Sequence, residues 1–194
     1  MADVELVDGP RRYYAEVMKP GYDEFFESPS SFRTAFNLAS SLFHFHEWLY
    51  VYCRAKLETH YKALKTPQAF WATVEATNLR FGFIRDLANA SKHVCLTKRP
   101  STSMTHVANT HIRIGTFQRG AFDPRVFDTG GLVMQDGATE VSFDACATEL
   151  FNYWTRLMND IGLIARQPNH TTIRLRSRLS YFSLAAPYAA REGL

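Results

Sequence analysis

The run Arg85-Asp86-Leu87-Ala88-Asn89-Ala90-Ser91-Lys92-His93 is the one stretch where two cations, a carboxylate, an amide and an imidazole occur together at helical spacing. At about 100° per residue, Lys92, Arg85, Asn89, His93 and Asp86 fall on an arc about 120° wide. Phe83, Ile84, Leu87, Ala88, Ala90, Ser91 and Val94 fill the rest of the wheel. The chemistry that suits these residue types is metal-independent cleavage of RNA. Attack by a ribose 2′-hydroxyl needs a base, an acid and cations that hold the phosphate as charge builds. His93 would exchange the proton, Arg85 and Lys92 would hold the phosphate, and Asn89 would orient either. Asp86 would tune His93 or hold Arg85. That chemistry requires the polar front to line a cleft, within one chain or between two copies. The same arc equally describes a solvated helix surface on which Arg85 pairs locally with Asp86 or Asn89.

The elements that must position this front are predicted to be mainly helical. Ser30 and Ser31 are N-cap residues for a long helix running to about Lys65. Its wide apolar face includes Phe32, Leu38, Leu42, Phe45, Leu49, Cys53 and Leu57, as expected of a central helix contacted from several sides. His46 projects into the middle of that face and Glu47 lies at its border, so His46 is a buried polar group in need of a partner. Both are placed to support Arg85 and His93 from behind, and His46 equally reads as a histidine satisfied in the core. Thr66-Pro67 starts another helix by capping chemistry and fades near Thr77-Asn78. Gly82 is a weak point before the helix that carries residues 85–93 and ends near Leu96.

After a loop at 97–103 the pattern changes to alternation over 111–118, and two further short strands flank Asp136-Gly137, a strong hairpin signal. Residues 119–131 read as a loop. Asp144 is expected to cap a final amphipathic helix carrying Leu150, Phe151, Trp154, Leu157 and Met158, with Gly162 as its stop. Upstream, Gly9-Pro10, Pro20-Gly21 and Pro29 punctuate a lead-in with a short helix over 13–18 and an aromatic anchor at Tyr22, Phe25 and Phe26. The expected fold is therefore a helical bundle with a small antiparallel hairpin sheet, about 105–143, inserted before the last long helix. This bundle spans 1–166 and is followed by a basic extension over 167–194. In a strand Arg174, Arg176 and Arg178 would share one face, which suits phosphate or an acidic protein partner.

The chain has 194 residues, 46% of them hydrophobic and 14% aromatic, which excludes a disordered chain and permits one domain with a sizeable core. A net charge of +3 is compatible with RNA but does not demand it. No apolar run reaches the roughly 18 residues of a membrane span, and the start Met1-Ala2-Asp3-Val4-Glu5 has no leader pattern. Cys53, Cys95 and Cys146 are far apart in apolar surroundings, as in a reducing, cytoplasmic setting. Phosphate-binding, dinucleotide, nucleophile-elbow and paired-histidine zinc motifs are absent. A metal would have to bridge His46, Glu47, Asp86 and His93 across two helices. No metal or cofactor is expected.

An arginine, a polar residue directly after it and a histidine further along one helix of a bundle resembles the HEPN superfamily. That resemblance implies a metal-independent ribonuclease of a toxin–antitoxin or phage-defence system, commonly a homodimer. Arg85 matches the family's arginine, Asp86 its polar neighbour and His93 its histidine. Seven residues intervene between Arg85 and His93 here, against four to six in the family, so the imidazole lies about 80° round from the arginine. The similarity covers residues 30–96 and the helix from Asp144, and leaves out the hairpin insert and the basic extension. The pattern Asp86-x-x-Asn89-x-x-Lys92-His93 after His46-Glu47-Trp48 also resembles bacterial and phage proteins of unassigned role. The alternative from a different class is a non-catalytic module that binds protein or nucleic acid.

Overall fold

The computed structural model describes residues 8–61, 64–93, 96, 100–113 and 131–164. The architecture is mainly α, with a small three-stranded antiparallel sheet before the last helix. Pro10 opens α1 (Pro10–Tyr13), a π-helical turn covers Tyr14–Met18, and α2 (Lys19–Glu27) follows without a break. The helix expected over 13–18 therefore extends in both directions, through Pro20-Gly21. A proline inside a helix lacks an N–H and collides with the carbonyl four residues back. The wider π turn just upstream is where the chain absorbs that mismatch.

α3 (Phe32–His60) begins where expected, with the Ser31 hydroxyl accepting from the Thr34 amide at 3.4 Å. It bends at Cys53, whose φ of −126° and ψ of 19° leave the helical range. It ends five residues before Lys65 because Tyr61 turns extended, packing its ring on Phe70 and bonding its hydroxyl to that of Tyr153 at 2.8 Å. Thr66 caps α4 (Pro67–Thr77) by accepting from the Ala69 amide at 3.1 Å. The Asn78 side chain then accepts from the Arg80 amide at 2.9 Å as α5 (Arg80–His93) begins.

Gly82 lies inside α5. A Cβ there would sit 2.9 Å from the Ser101 Cβ and 3.3 Å from a Glu75 carboxylate oxygen. The missing side chain is what lets the 100–103 segment lie against this helix.

β1 (Thr110–Arg113), β2 (Gly131–Asp136) and β3 (Thr139–Ser142) form a meander in which Thr110 pairs with Met134 and Asp136 with Thr139. Gly137, at φ +62°, supplies the left-handed residue that the Asp136-Gly137 turn requires. Leu132, Met134 and Val141 turn into the core. Asp136 accepts from the amide and hydroxyl of Ser103, pinning the hairpin to the 100–103 segment.

Ser142, rather than Asp144, caps α6 (Phe143–Asp160); Asp144 instead sits in the first turn and accepts from the Ala145 amide at 2.8 Å. Gly162, at φ +66°, closes the helix, and the Leu163 amide returns to the Met158 carbonyl. At the centre of the bundle the indole of Trp154 donates to the Leu42 carbonyl at 2.9 Å, and Phe45, Phe70 and Phe81 surround its ring. The described elements belong to one unit that ends at Ile164. Among the described residues no helix is long and apolar enough to cross a membrane.

Candidate functional site

α5 is buried on its apolar back and also on the first turn of its polar front. Arg85 is 7% exposed and Asp86 1% exposed. The front meets a second polar wall made by α4 and the 100–103 segment. Both Nε and Nη2 of Arg85 donate to Oδ1 of Asp86 at 3.0 Å. Its Nη1 lies 3.3 and 3.4 Å from the two oxygens of Glu75, and the guanidinium sits 5.2 Å from the ring centre of Trp71. The other oxygen of Asp86 accepts from the amide and the hydroxyl of Thr102, at 2.8 and 2.9 Å. Ser101 donates its hydroxyl to Glu75. Two carboxylates and an indole thus hold one guanidinium, and both Asp86 oxygens are engaged.

Position along the helix separates the remaining predicted residues. Asn89, one turn beyond Arg85, is half-buried, whereas Lys92 and His93 are exposed at the helix end. Lys92 does not face Arg85; its Nζ lies 2.6 Å from Nε2 of His44 on α3. His44 in turn places Nδ1 3.4 Å from the exposed Glu47 carboxylate. The ammonium donates, so His44 accepts at Nε2 and carries its proton on Nδ1, toward Glu47. His46 is buried among aromatic rings, 5.0 Å from Phe43 and 5.9 Å from Phe81 by ring centres. Its Nδ1 meets the Phe43 carbonyl at 2.5 Å. Burial pushes its pKa below the ordinary value, so the imidazole is held neutral and is satisfied in the core.

The predicted residues are therefore dispersed. Arg85 and Asp86 lie in the wall between α4, α5 and the 100–103 segment, and Asn89 is half-buried one turn beyond. Lys92 and Glu47 lie on the surface where α5 meets α3, with His44 between them; His93 is exposed at the end of α5, and His46 lies in the core. Arg174, Arg176 and Arg178 are outside the described residues. Glu75, Trp71 and Thr102 are the partners that the helical wheel of α5 does not reveal. Their signal is faint: a hydroxyl-rich Ser101-Thr102-Ser103 run and one acid ten residues before Arg85.

The surface clefts among the described residues include two beside the helices of the bundle. One, of about 640 Å³, runs between the N-terminal helical segment and α3, past Tyr13, Glu16, Glu24, Asn37 and His44. Burial, with Glu47 nearby, raises the Tyr13 hydroxyl to a pKa of about 12, so it stays neutral. The other, of about 310 Å³, is bordered by His60, Tyr61, Thr77, Tyr153 and Arg156. Neither is lined by Arg85, Asn89 or His93. Cys146 is buried, with its thiol pushed up to about 12, and is inert at neutral pH. Among the described residues no group of three or more His, Cys, Asp or Glu is placed to hold a metal ion. Comparison with protein-family models, curated proteins and solved structures finds no match to this chain.

Proposed function

We propose that this chain is a non-catalytic binding module in which α5 is scaffold rather than active-site wall. The observation that carries this reading is the commitment of Arg85. A phosphate reaching its guanidinium would have to displace Asp86 and Glu75 from an arginine that is only 7% exposed. Removing one member of such a buried ionic cluster costs about 3–5 kcal/mol, more than a transient phosphate contact returns. His93 and Lys92, the groups left at the surface, sit beyond the buried turn, and Lys92 is turned toward His44 on α3. This arrangement favours the binding reading over the HEPN-type ribonuclease reading, which needs Arg85, Asn89 and His93 open to one scissile phosphate.

The test is incubation of a mixed RNA pool with purified protein in EDTA, beside His93→Ala and Arg85→Lys variants. The module reading predicts intact RNA in all three lanes. Cleavage by the wild type that disappears in folded His93→Ala would overturn it and restore the ribonuclease reading.

A further inference from the structure

The exposed side of α3 carries a feature that the α5 network does not use. Phe45, Tyr13, Trp48 and Tyr52 form a continuous stack that passes from the core to solvent. Successive ring centres are 5.9, 4.8 and 5.8 Å apart, with interplanar angles of 18°, 29° and 9°. The last ring, Tyr52, is 55% exposed, and among the described residues its ring neighbour is Trp48 alone. An ammonium group stands toward each end of the two outer rings, Lys92 beside His44 and Lys56 beyond Tyr52. His44 lies one turn before Trp48 and accepts from Lys92; Lys56 lies one turn after Tyr52 and is exposed, touching the Gly162 carbonyl only at 3.5 Å. From His44 to Lys56 is twelve residues, about 18 Å of helix. On this part of α3 the two acids already face a basic group: Glu58 is bonded by Arg54 at 2.7 Å, and Glu47 lies against His44.

We infer that this face binds single-stranded nucleic acid, with a base stacked on Tyr52 and the flanking phosphates on Lys56 and Lys92. An exposed aromatic ring accepts any base face, and cations on either side follow the backbone, which is the usual composition of sequence-tolerant single-strand sites. A protein partner fits less well. Specific protein interfaces need about 800 Å² per side. Of the exposed large apolar residues among those described, Val51 and Tyr52 are adjacent in sequence, whereas Phe32 stands at the far end of α3 and Val17 and Leu79 belong to other segments.

This inference rests on the binding-module reading and names its ligand. The experiment is fluorescence anisotropy of a labelled oligothymidylate titrated with the full chain. DNA has no 2′-hydroxyl, so the readout is independent of RNA cleavage, and a failure to bind is distinguishable from the presence of ribonuclease activity. Wild type should bind, Tyr52→Phe should bind equally, and Tyr52→Ala should weaken binding at least about fivefold. The double variant Lys56→Ala/Lys92→Ala should flatten the slope of log affinity against log salt by about 1.4, the value for two phosphate contacts on a single strand. Absence of wild-type binding, or Tyr52→Ala binding as tightly as wild type while folded by circular dichroism, overturns the inference. The second result would mean that binding runs through other cations of the chain.

Discussion

Asp86→Asn strikes the carboxylate that ties α5 to both of its polar neighbours. The substitution keeps shape and volume while replacing one oxygen with an amide that can only donate. Oδ1 now serves two donors of Arg85, and Oδ2 serves the amide and hydroxyl of Thr102. Turned toward Arg85 the new amide faces two donors; turned toward Thr102 it faces one N–H and a hydroxyl that can rotate to accept, so one or two hydrogen bonds to a buried charge are lost. Each is worth about 1.5–3 kcal/mol, and the Glu75 carboxylate still partly neutralises Arg85, so the expected loss is about 3 kcal/mol. A protein of this size has roughly 5–15 kcal/mol of stability, so the variant should remain folded. With a urea dependence of about 2 kcal/mol per molar, the denaturation midpoint should fall by about 1.5 M. The control is Asp23→Asn, which removes an aspartate–lysine pair that is 51% and 57% exposed and should cost less than about 1 kcal/mol. A cycle with Arg85→Met should return a coupling above about 1.5 kcal/mol. Equal midpoint shifts for Asp86→Asn and Asp23→Asn, or a coupling near zero, would refute the claim that this pair holds α5 against its wall.

Two further outcomes follow from the same packing. The pKa of His46 is lowered by burial, so the unfolded chain takes up a proton below about 6.5 before the folded chain does. Stability should therefore fall as pH drops from about 7.5 to about 5.5, and His46→Leu should show a shallower fall in urea midpoint; identical pH slopes in the two proteins would contradict the buried neutral histidine. Gly82→Ala improves helix propensity but drives a methyl against Ser101, so it should destabilise the fold by about 1–3 kcal/mol in thermal unfolding, and a raised midpoint would show that the 100–103 segment does not lie there.

Features written in local chemistry were legible in the chain. Ser31, Thr66-Pro67 and Asp136-Gly137 each mark a boundary through bonds spanning two or three residues, and the apolar stripe of α6 predicts its burial directly. Pro20-Gly21 misled because the π turn that accommodates the proline lies upstream and has no signature of its own. The front of α5 was legible as a set of residue types but not as an environment. Its covering partners, Glu75 and Thr102, come from a neighbouring helix and from a segment sixteen residues beyond Asp86, and Gly82 permits that approach without announcing it. A helical wheel shows which residues share a face; it does not show what stands opposite. The stack ending at Tyr52 was hidden for a related reason, since Tyr13 and Trp48 meet only after the N-terminal segment packs on α3.

The most direct measurement of whether Arg85 is scaffold is a nitrogen-edited NMR spectrum of the arginine side chains, assigned with Arg85→Lys. A guanidinium locked between Asp86, Glu75 and Trp71 predicts a displaced, slowly exchanging Nε–H resonance that does not move when a short RNA is added. An Arg85 resonance that averages with exposed arginines, or that shifts with RNA, would place the guanidinium in an open site and contradict its role as scaffold.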